Sequence, residues 1–437
     1  MPSAVEGLSL EAVERISTER NEPEWLREKR RAGWAAFESL PTPDWTRGIR
    51  GWWSGTIRPL AFEEMRPFTP AGQNLPDFEL SNTEEGTPSG IVVQYNSQVV
   101  RVELSEEARA KGVILSSLED AVKTHPELVQ KYFMTEAVPL DETRFTAANA
   151  ALWTGGVFLY VPNNVVLDVP FRVVFYSDVT DSALFTHTLV VTGKNAKARL
   201  IEDHISNGQA GDPTLFDSNV TEVFVGDGSV VEYYNPQEYG QNVVNISTKR
   251  AIIMNNATHR WTIATLGSDT TRLTLESFLS GQGSHTDVTG LSYSVGNQNF
   301  DVYSRNLHRV PNTSANALFK AALDDASQLG FRGAIRTLKG AQNTDSFLED
   351  HTLYLSKDSK ADVLPSLDVD ANDVRCSHGA SIGMIDADQI FYLMSRGLTK
   401  KQAEEMIVAG FFEEVIERIP LESVKERVRR AIEAKLH

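Results

Sequence analysis

The stretch Val220–Tyr234 reads VTEVFVGDGSVVEYY. Two short runs rich in β-branched and aromatic residues flank Gly226-Asp227-Gly228, the pattern of a strand, a tight turn and a second strand. The same texture spreads outward in both directions: Val157–Val161, Thr188–Thr192, Arg250–Met254 and Arg272–Phe278 read as further strands. Turn signals recur at Gly193, Asn255-Asn256, Gly281-Gln282-Gly283, Asp324-Asp325, Gly340 and Lys357-Asp358, and no helical pattern of any length interrupts residues 155–385. The residues that open successive strands fall near Ala196, Ser229, Ala257, Ser284, Ala326 and Ala341. These positions are spaced at rough multiples of about fourteen residues, which predicts a stack of similar coils, a β-solenoid whose inward side chains pack coil on coil. A large β-sandwich satisfies the same spacing, and the spacing alone does not choose between them.

On either side of this block the periodicity is helical. Residues 1–154 read as a helical and loop-rich region. Trp25, Leu26, Gly33, Ala36, Phe37 and Leu40 place an amphipathic helix within residues 8–40, stopped by Pro41 and Pro43. Gly48 to Asn96, with Trp52, Trp53, Pro59, Pro67, Pro70 and Pro76, is loop-rich and its organisation does not follow from the sequence. Helical patterns return over Ser117–Leu152, interrupted by Pro126 and Pro139.

Residues 386–437 read as a small all-helical unit. Asp386 with Gln389, and Thr399 with Gln402, are two capping boxes, and Gly397 suits the left-handed residue between them. Met406, Phe411, Phe412, Val415 and Ile419 form one apolar stripe ended by Pro420. Val424, Val428, Ile432 and Leu436 form a second after a Ser423 cap. Such stripes pack on each other and on the solenoid, or in part meet a partner.

Composition narrows the function. With 437 residues, 41% of them hydrophobic, the chain can bury a large core. A formal charge of -17 with interspersed Lys and Arg argues against nucleic-acid and anionic membrane surfaces. One cysteine allows no internal disulfide, the N-terminal MPSAVEGLSLEAVERI has no apolar signal core, and no apolar run is long enough to span a membrane, so a cytoplasmic location is expected.

That cysteine lies in DVRCSHGASIGMIDADQIFYLMSRGL, Asp373–Leu398. Cys376 and His378 are two apart, so in a strand both side chains share a face. A thiol beside an imidazole points to iron, zinc or copper, or to sulfur transfer, and the plain alternative is a cysteine packed as a small hydrophobe. An iron-sulfur cluster normally takes four protein ligands, so this chain cannot hold one unaided. His187, His204, His259, His285, His308 and His351 lie in or beside strand-like runs and read as hydrogen-bonded core or surface residues. No G-x-x-x-x-G-K-[ST] loop occurs, so ATP hydrolysis would have to come from a partner. A competing reading is a solenoid enzyme acting on polysaccharide, with Asp301, Asp324 and Asp325 as candidate acids. Those acids sit in turns, where Asp is commonly a turn former.

The string CSHGA, a following glycine, an acidic turn and then FYL-SRG resembles the signature of the SufB/SufD family of iron-sulfur cluster assembly scaffolds, most closely the SufD branch. Asn21–Trp45, Phe145–Val165 and Phe331–Ser356 are similar to the family as well. The resemblance implies a mainly β fold, a right-handed parallel β-helix at residues 155–385 between helical N- and C-terminal regions, and so decides for the solenoid. It implies a non-catalytic scaffold that pairs through the solenoid end with a SufB-type homologue, or with a second copy as a SufB-like homodimer acting alone. A transient iron-sulfur cluster would form at that interface, facing His378, with Cys376 an accessory ligand or a packing residue. It implies docking of a SufC-type ABC ATPase on the C-terminal helices, on the stripe that includes Phe411, Phe412 and Val415, and leaves the use of a reduced flavin open. SufB-type chains carry a cysteine near the position of Ser359 and more in the solenoid; their absence here puts a sulfur-accepting role in doubt.

Overall fold

The computed structural model describes residues 7–41, 60–76, 78, 86–419 and 421–436. Pro43, Trp52, Trp53, Pro59, Pro420 and His437 lie outside them. The chain opens with two helices where the sequence pattern reads as one, α1 (Leu10–Glu19) and α2 (Glu24–Ser39). The break has a chemical cause. Asn21 takes a left-handed φ of 49°, and Pro23 disfavours helical backbone in the residue before it. A buried Glu22–Arg30 ion pair of 2.7 Å fixes the corner.

Next come β1 (Gly90–Tyr95), β2 (Gln98–Leu104), α3 (Glu106–Ala110), β3 (Ile114–Ser117), α4 (Leu118–Thr124), α5 (Pro126–Tyr132) and α6 (Arg144–Leu152). Pro126 starts α5 at the position where its missing N–H is harmless. Helix α2 lies close on α6 because residue 33 is glycine: a Cβ there would stand 2.8 Å from that of Ala150. The strand β1 arises within the stretch whose organisation the sequence did not give, and it joins the solenoid by pairing in parallel with the strand that begins at Phe171.

Among the described residues sixteen strands then build a parallel β-solenoid. One sheet stacks β4 (Val157–Val161), β6 (Ser182–Thr192), β8 (Leu215–Val225), β10 (Val243–Ile253), β12 (Thr270–Leu279), β14 (Asn299–His308), β16 (Gln328–Thr337) and β18 (Lys360–Val369). The facing sheet stacks β5 (Phe171–Ser177), β7 (Lys197–Ser206), β9 (Val230–Glu238), β11 (Thr258–Thr265), β13 (His285–Ser294), β15 (Ser314–Leu323), β17 (Thr344–Tyr354) and β19 (Val374–Met384). Each coil gives one strand to each sheet, so every strand pairs with the second-next in sequence.

One turn of the coil is specified by residue type. Asn164, Asn195, Gly228, Asn256, Gly283, Asn312 and Asn343 occupy equivalent corners with φ between 51° and 72°, a conformation glycine and asparagine tolerate. Their side chains also stack: Asn195 Nδ2 donates to Asn164 Oδ1 at 3.2 Å, and Asn343 Nδ2 to Asn312 Oδ1 at 3.1 Å. Contacts between successive corners span 27 to 33 residues, so the unit of about fourteen read from the sequence is half a coil, one strand with its turn.

The lumen is apolar on the side of these corners, where Val190, Val223, Ala251 and Ile253 are buried, and polar on the other side, where Glu202, His204, Asp217 and Lys249 are. After β19 come α7 (Ala387–Ser395), α8 (Lys400–Glu417) and α9 (Glu422–Leu436). Helices α8 and α9 fold back along the outer face of the second sheet. Lys320 Nζ pairs with Glu414 at 2.6 Å and Arg427 with Asp203 at 2.6 Å. Helix α9 starts at Glu422, so Ser423 lies inside the first turn and is not its cap.

Candidate functional site

Among the described residues the solenoid ends without a lid. Strands β18 and β19 each pair on one side only, with β16 and β17, and their other backbone edges are free among the described residues. Apolar side chains that a further coil would cover are left exposed here: Leu364, Leu367, Val369, Ile382 and Met384. An unpaired strand edge beside exposed apolar side chains is a ready template for another chain.

Cys376 and His378 lie on this last strand. Their register partners are Ser346 and Leu348, both buried on the inward face of β17, so both side chains project along the inner face of the terminal coil. Cys376 is half-buried against the inner core. Burial, and after it the negative charge of Asp345, pushes its thiol up, so the resting sulfur is a thiol and not a poised thiolate. His378 is exposed, and its ring makes no hydrogen bond to a described residue. Among the described residues no three His, Cys, Asp or Glu side chains converge on one point, so the end offers isolated donors and no closed cage.

One residue near the mouth had no sequence signal. Asp350 of β17 is 1% exposed on the inward face, and its register partner is Ala380 of β19. Burial pushes its carboxyl up to about 7, against the opposing hydrogen bond from Thr352. Coil lengths vary by several residues, so register across coils could not be counted from the sequence.

The other singled-out residues have structural surroundings. His187 meets Glu222 at 3.0 Å, His204 meets Glu202 at 2.9 Å, His285 meets Asp287 at 3.0 Å and His351 meets Glu349 at 2.9 Å. His308 bonds Thr313 at 2.7 Å, and His259 is buried edge-on against Trp261. Ser359 Oγ donates to the Asp325 carbonyl at 3.1 Å, a turn contact between coils. Asp301 is buried between Arg272 and Arg332, in strand β14 and not in a turn.

The helical unit divides sharply by exposure. Phe412 and Val415 are buried at 0% and 1%, with the Phe412 ring 6.1 Å from that of Tyr293, and Phe411 is half-buried beside it. They seat α8 on the solenoid. Phe391 at 73%, Tyr392, Met394 and Met406 are the exposed large apolar side chains of the unit. Helix α7 is capped by Asp386, whose side chain accepts from the Asp388 N–H at 2.8 Å, and Gly397 at φ 99° follows it. The Thr399–Gln402 capping box opens α8.

Residues 175–411 match the family described as SUF system FeS cluster assembly, SufBD core domain, and residues 86–173 match the SufBD protein N-terminal region. The chain belongs to the SufBD family. Iron-sulfur cluster assembly SufBD family proteins of Staphylococcus saprophyticus and of Staphylococcus aureus strains MRSA252 and USA300 are each 29% identical to it over 439 residues, covering 97% of this chain and 92% of theirs. This SufBD chain is therefore an iron-sulfur cluster assembly protein. Its one thiol and exposed imidazole at an open solenoid end fit a site completed by donors from outside the chain.

Proposed function

We propose that this protein is the SufD-like, non-catalytic scaffold subunit of a cytoplasmic SUF complex, and that its open solenoid end presents His378 to a nascent iron-sulfur cluster. The observation that carries this reading is the pairing of a free strand edge with an exposed, unbonded imidazole on the same terminal strand. A neutral imidazole ligates iron directly, whereas the Cys376 thiol must first lose a proton that burial retains. A SufB-type homologue paired along the edge would supply the remaining thiolates. A SufC-type ABC ATPase would dock on the C-terminal helices through the exposed Phe391, Tyr392 and Met394 of α7 and the rim at Phe411, with Phe412 and Val415 holding the platform in place.

Reconstitution of iron and sulfide on the assembled complex tests the ligand assignment. His378→Ala should lower cluster absorbance per complex with partner binding intact, and Cys376→Ser should lower it less. Loading of His378→Ala equal to the parent rejects the assignment.

Self-pairing through the same edge is a second reading with its own support: two copies would bring two thiols and two imidazoles together, a four-ligand count for a small cluster. Mass measurement of the cluster-loaded species separates the two. A homodimer carrying iron and sulfide without any second chain would favour the symmetric scaffold.

A further inference from the structure

We infer that Asp350 is a second iron(II) ligand at the solenoid mouth, a carboxylate lying beneath Ala380 and beside the position of His378. The inference rests on the reading of this end as the place where the cluster forms.

Asp350 stands apart from the other buried acids of the solenoid. Glu202 has Lys249 at 3.2 Å, Asp203 has Arg427 at 2.6 Å, and Glu222 accepts from His187 and from the backbone N–H groups of Met134 and Val138. Each of these carboxylates is compensated by a cation or by several donors, as burial of charge requires. Among the described residues Asp350 makes one hydrogen bond, accepted at Oδ1 from the Thr352 hydroxyl at 3.1 Å, and no lysine or arginine pairs with it.

Its place in the stack explains what could compensate it. Along the inner face the column containing Asp350 runs from Phe319 through Asp350 to Ala380, and there it stops. Below, Phe319 lies on Phe331 with ring centroids 4.6 Å apart, which closes the lumen behind the carboxyl. Above, one alanine, itself exposed, separates it from the open end. Strands in a sheet are about 4.8 Å apart, so the carboxyl lies a single layer below the mouth. The inward neighbours of Ala380 along β19 begin with His378, two residues earlier, and then Cys376. An ion arriving over Ala380 meets an imidazole from the side and a carboxyl from below, a borderline and a hard donor of the kind that suits iron(II). The remaining coordination positions are left to water, sulfide or the partner chain.

The test is an anaerobic titration of the full-length protein with cobalt(II) alone, read by its visible d–d absorption. The parent should bind cobalt(II). Asp350→Asn, nearly the same shape without the charge, should bind at least about tenfold more weakly while keeping the parent's thermal midpoint. Ala380→Leu, placed on the exposed end where it only roofs the carboxyl, should weaken binding to a similar degree. His378→Ala is the control for the underlying reading. If His378→Ala weakens binding and Asp350→Asn does not, the assignment of Asp350 fails and the mouth survives as the site. If His378→Ala binds like the parent, the mouth itself is refuted. Should Asp350→Asn fail to fold, Ala380→Leu decides: weakened binding supports the ligand, and parent-like binding overturns it. A parent that binds no cobalt(II) overturns both.

Discussion

Inside the lumen, Lys249 Nζ lies 3.2 Å from Glu202 Oε1 and donates to Thr221 Oγ1 at 3.1 Å. Burial works against the charge on Glu202, yet Lys249, His204 and the Thr188 hydroxyl together hold its carboxyl well below the usual carboxylate range. Removing one partner of such a pair leaves an uncompensated charge with no route to water, and this dominates over the modest net value of the pair itself. Lys249→Met is therefore expected to cost about 3–5 kcal/mol in urea unfolding, and the double change with Glu202→Gln should recover a large part of it. A single variant that unfolds like the parent would mean that His204 or water takes over the charge. At the candidate site, spacing was enough to place Cys376 and His378 on one face of a strand, because residues two apart in a strand share a face whatever the fold. Asp350 was illegible for the opposite reason: it belongs to the mouth only through register with a strand 30 residues later.

Among the elements, α8 and α9 are held on the solenoid by contacts whose pH response can be worked out. The ammonium of Lys435 donates to the Tyr293 carbonyl and to Gln298 Oε1 at 2.9 Å, over the rings of Tyr293 and Phe300. Burial pushes it down to about 7. At pH below 7 the seated and unfolded forms both hold the proton. Between about 7 and about 10.4 the unfolded form binds it and the seated form does not, so stability should rise with pH across that window. Relative to Lys435→Met, the parent should gain roughly 2 kcal/mol between pH 7 and 9.5, allowing for its partly exposed stem. A difference that stays flat would place the ammonium in water. The apolar stripes of these helices were legible as stripes, but periodicity does not say which face meets the solenoid and which meets a partner. Exposure separates them. Phe412→Asp should lower the thermal midpoint by unseating α8, whereas Phe391→Asp should leave the midpoint unchanged and, on the proposed docking, weaken binding of a SufC-type ATPase.

As a whole molecule the protein is a stack, and its stability is close to a sum of coil and nearest-neighbour terms. That regularity is why the solenoid was legible at all: Asn and Gly corners repeat wherever φ must be positive, and strands such as Val220–Val225 and Val230–Tyr234 fall where the sequence put them. The corner that divides residues 8–40 into two helices was legible: residues 17–24 read STERNEPE, with no apolar position and with a proline, and the single-helix expectation passed over that gap. Every central coil has a neighbour on both sides, while β18 and β19 have one, and their exposed Leu367, Ile382 and Met384 gain little from burial. Opening the last coil therefore breaks one interface where opening a central coil breaks two. In hydrogen exchange, amides of β18 and β19 should be released well before those of β10 to β13, at a free energy below that of global unfolding. Adding the proposed pairing chain, a SufB-type homologue, should slow the terminal strands selectively, because edge N–H groups would then gain acceptors. Terminal amides that exchange as slowly as central ones in the isolated chain would show that the end is already covered, and the free edge would then not be the surface on which the cluster is assembled.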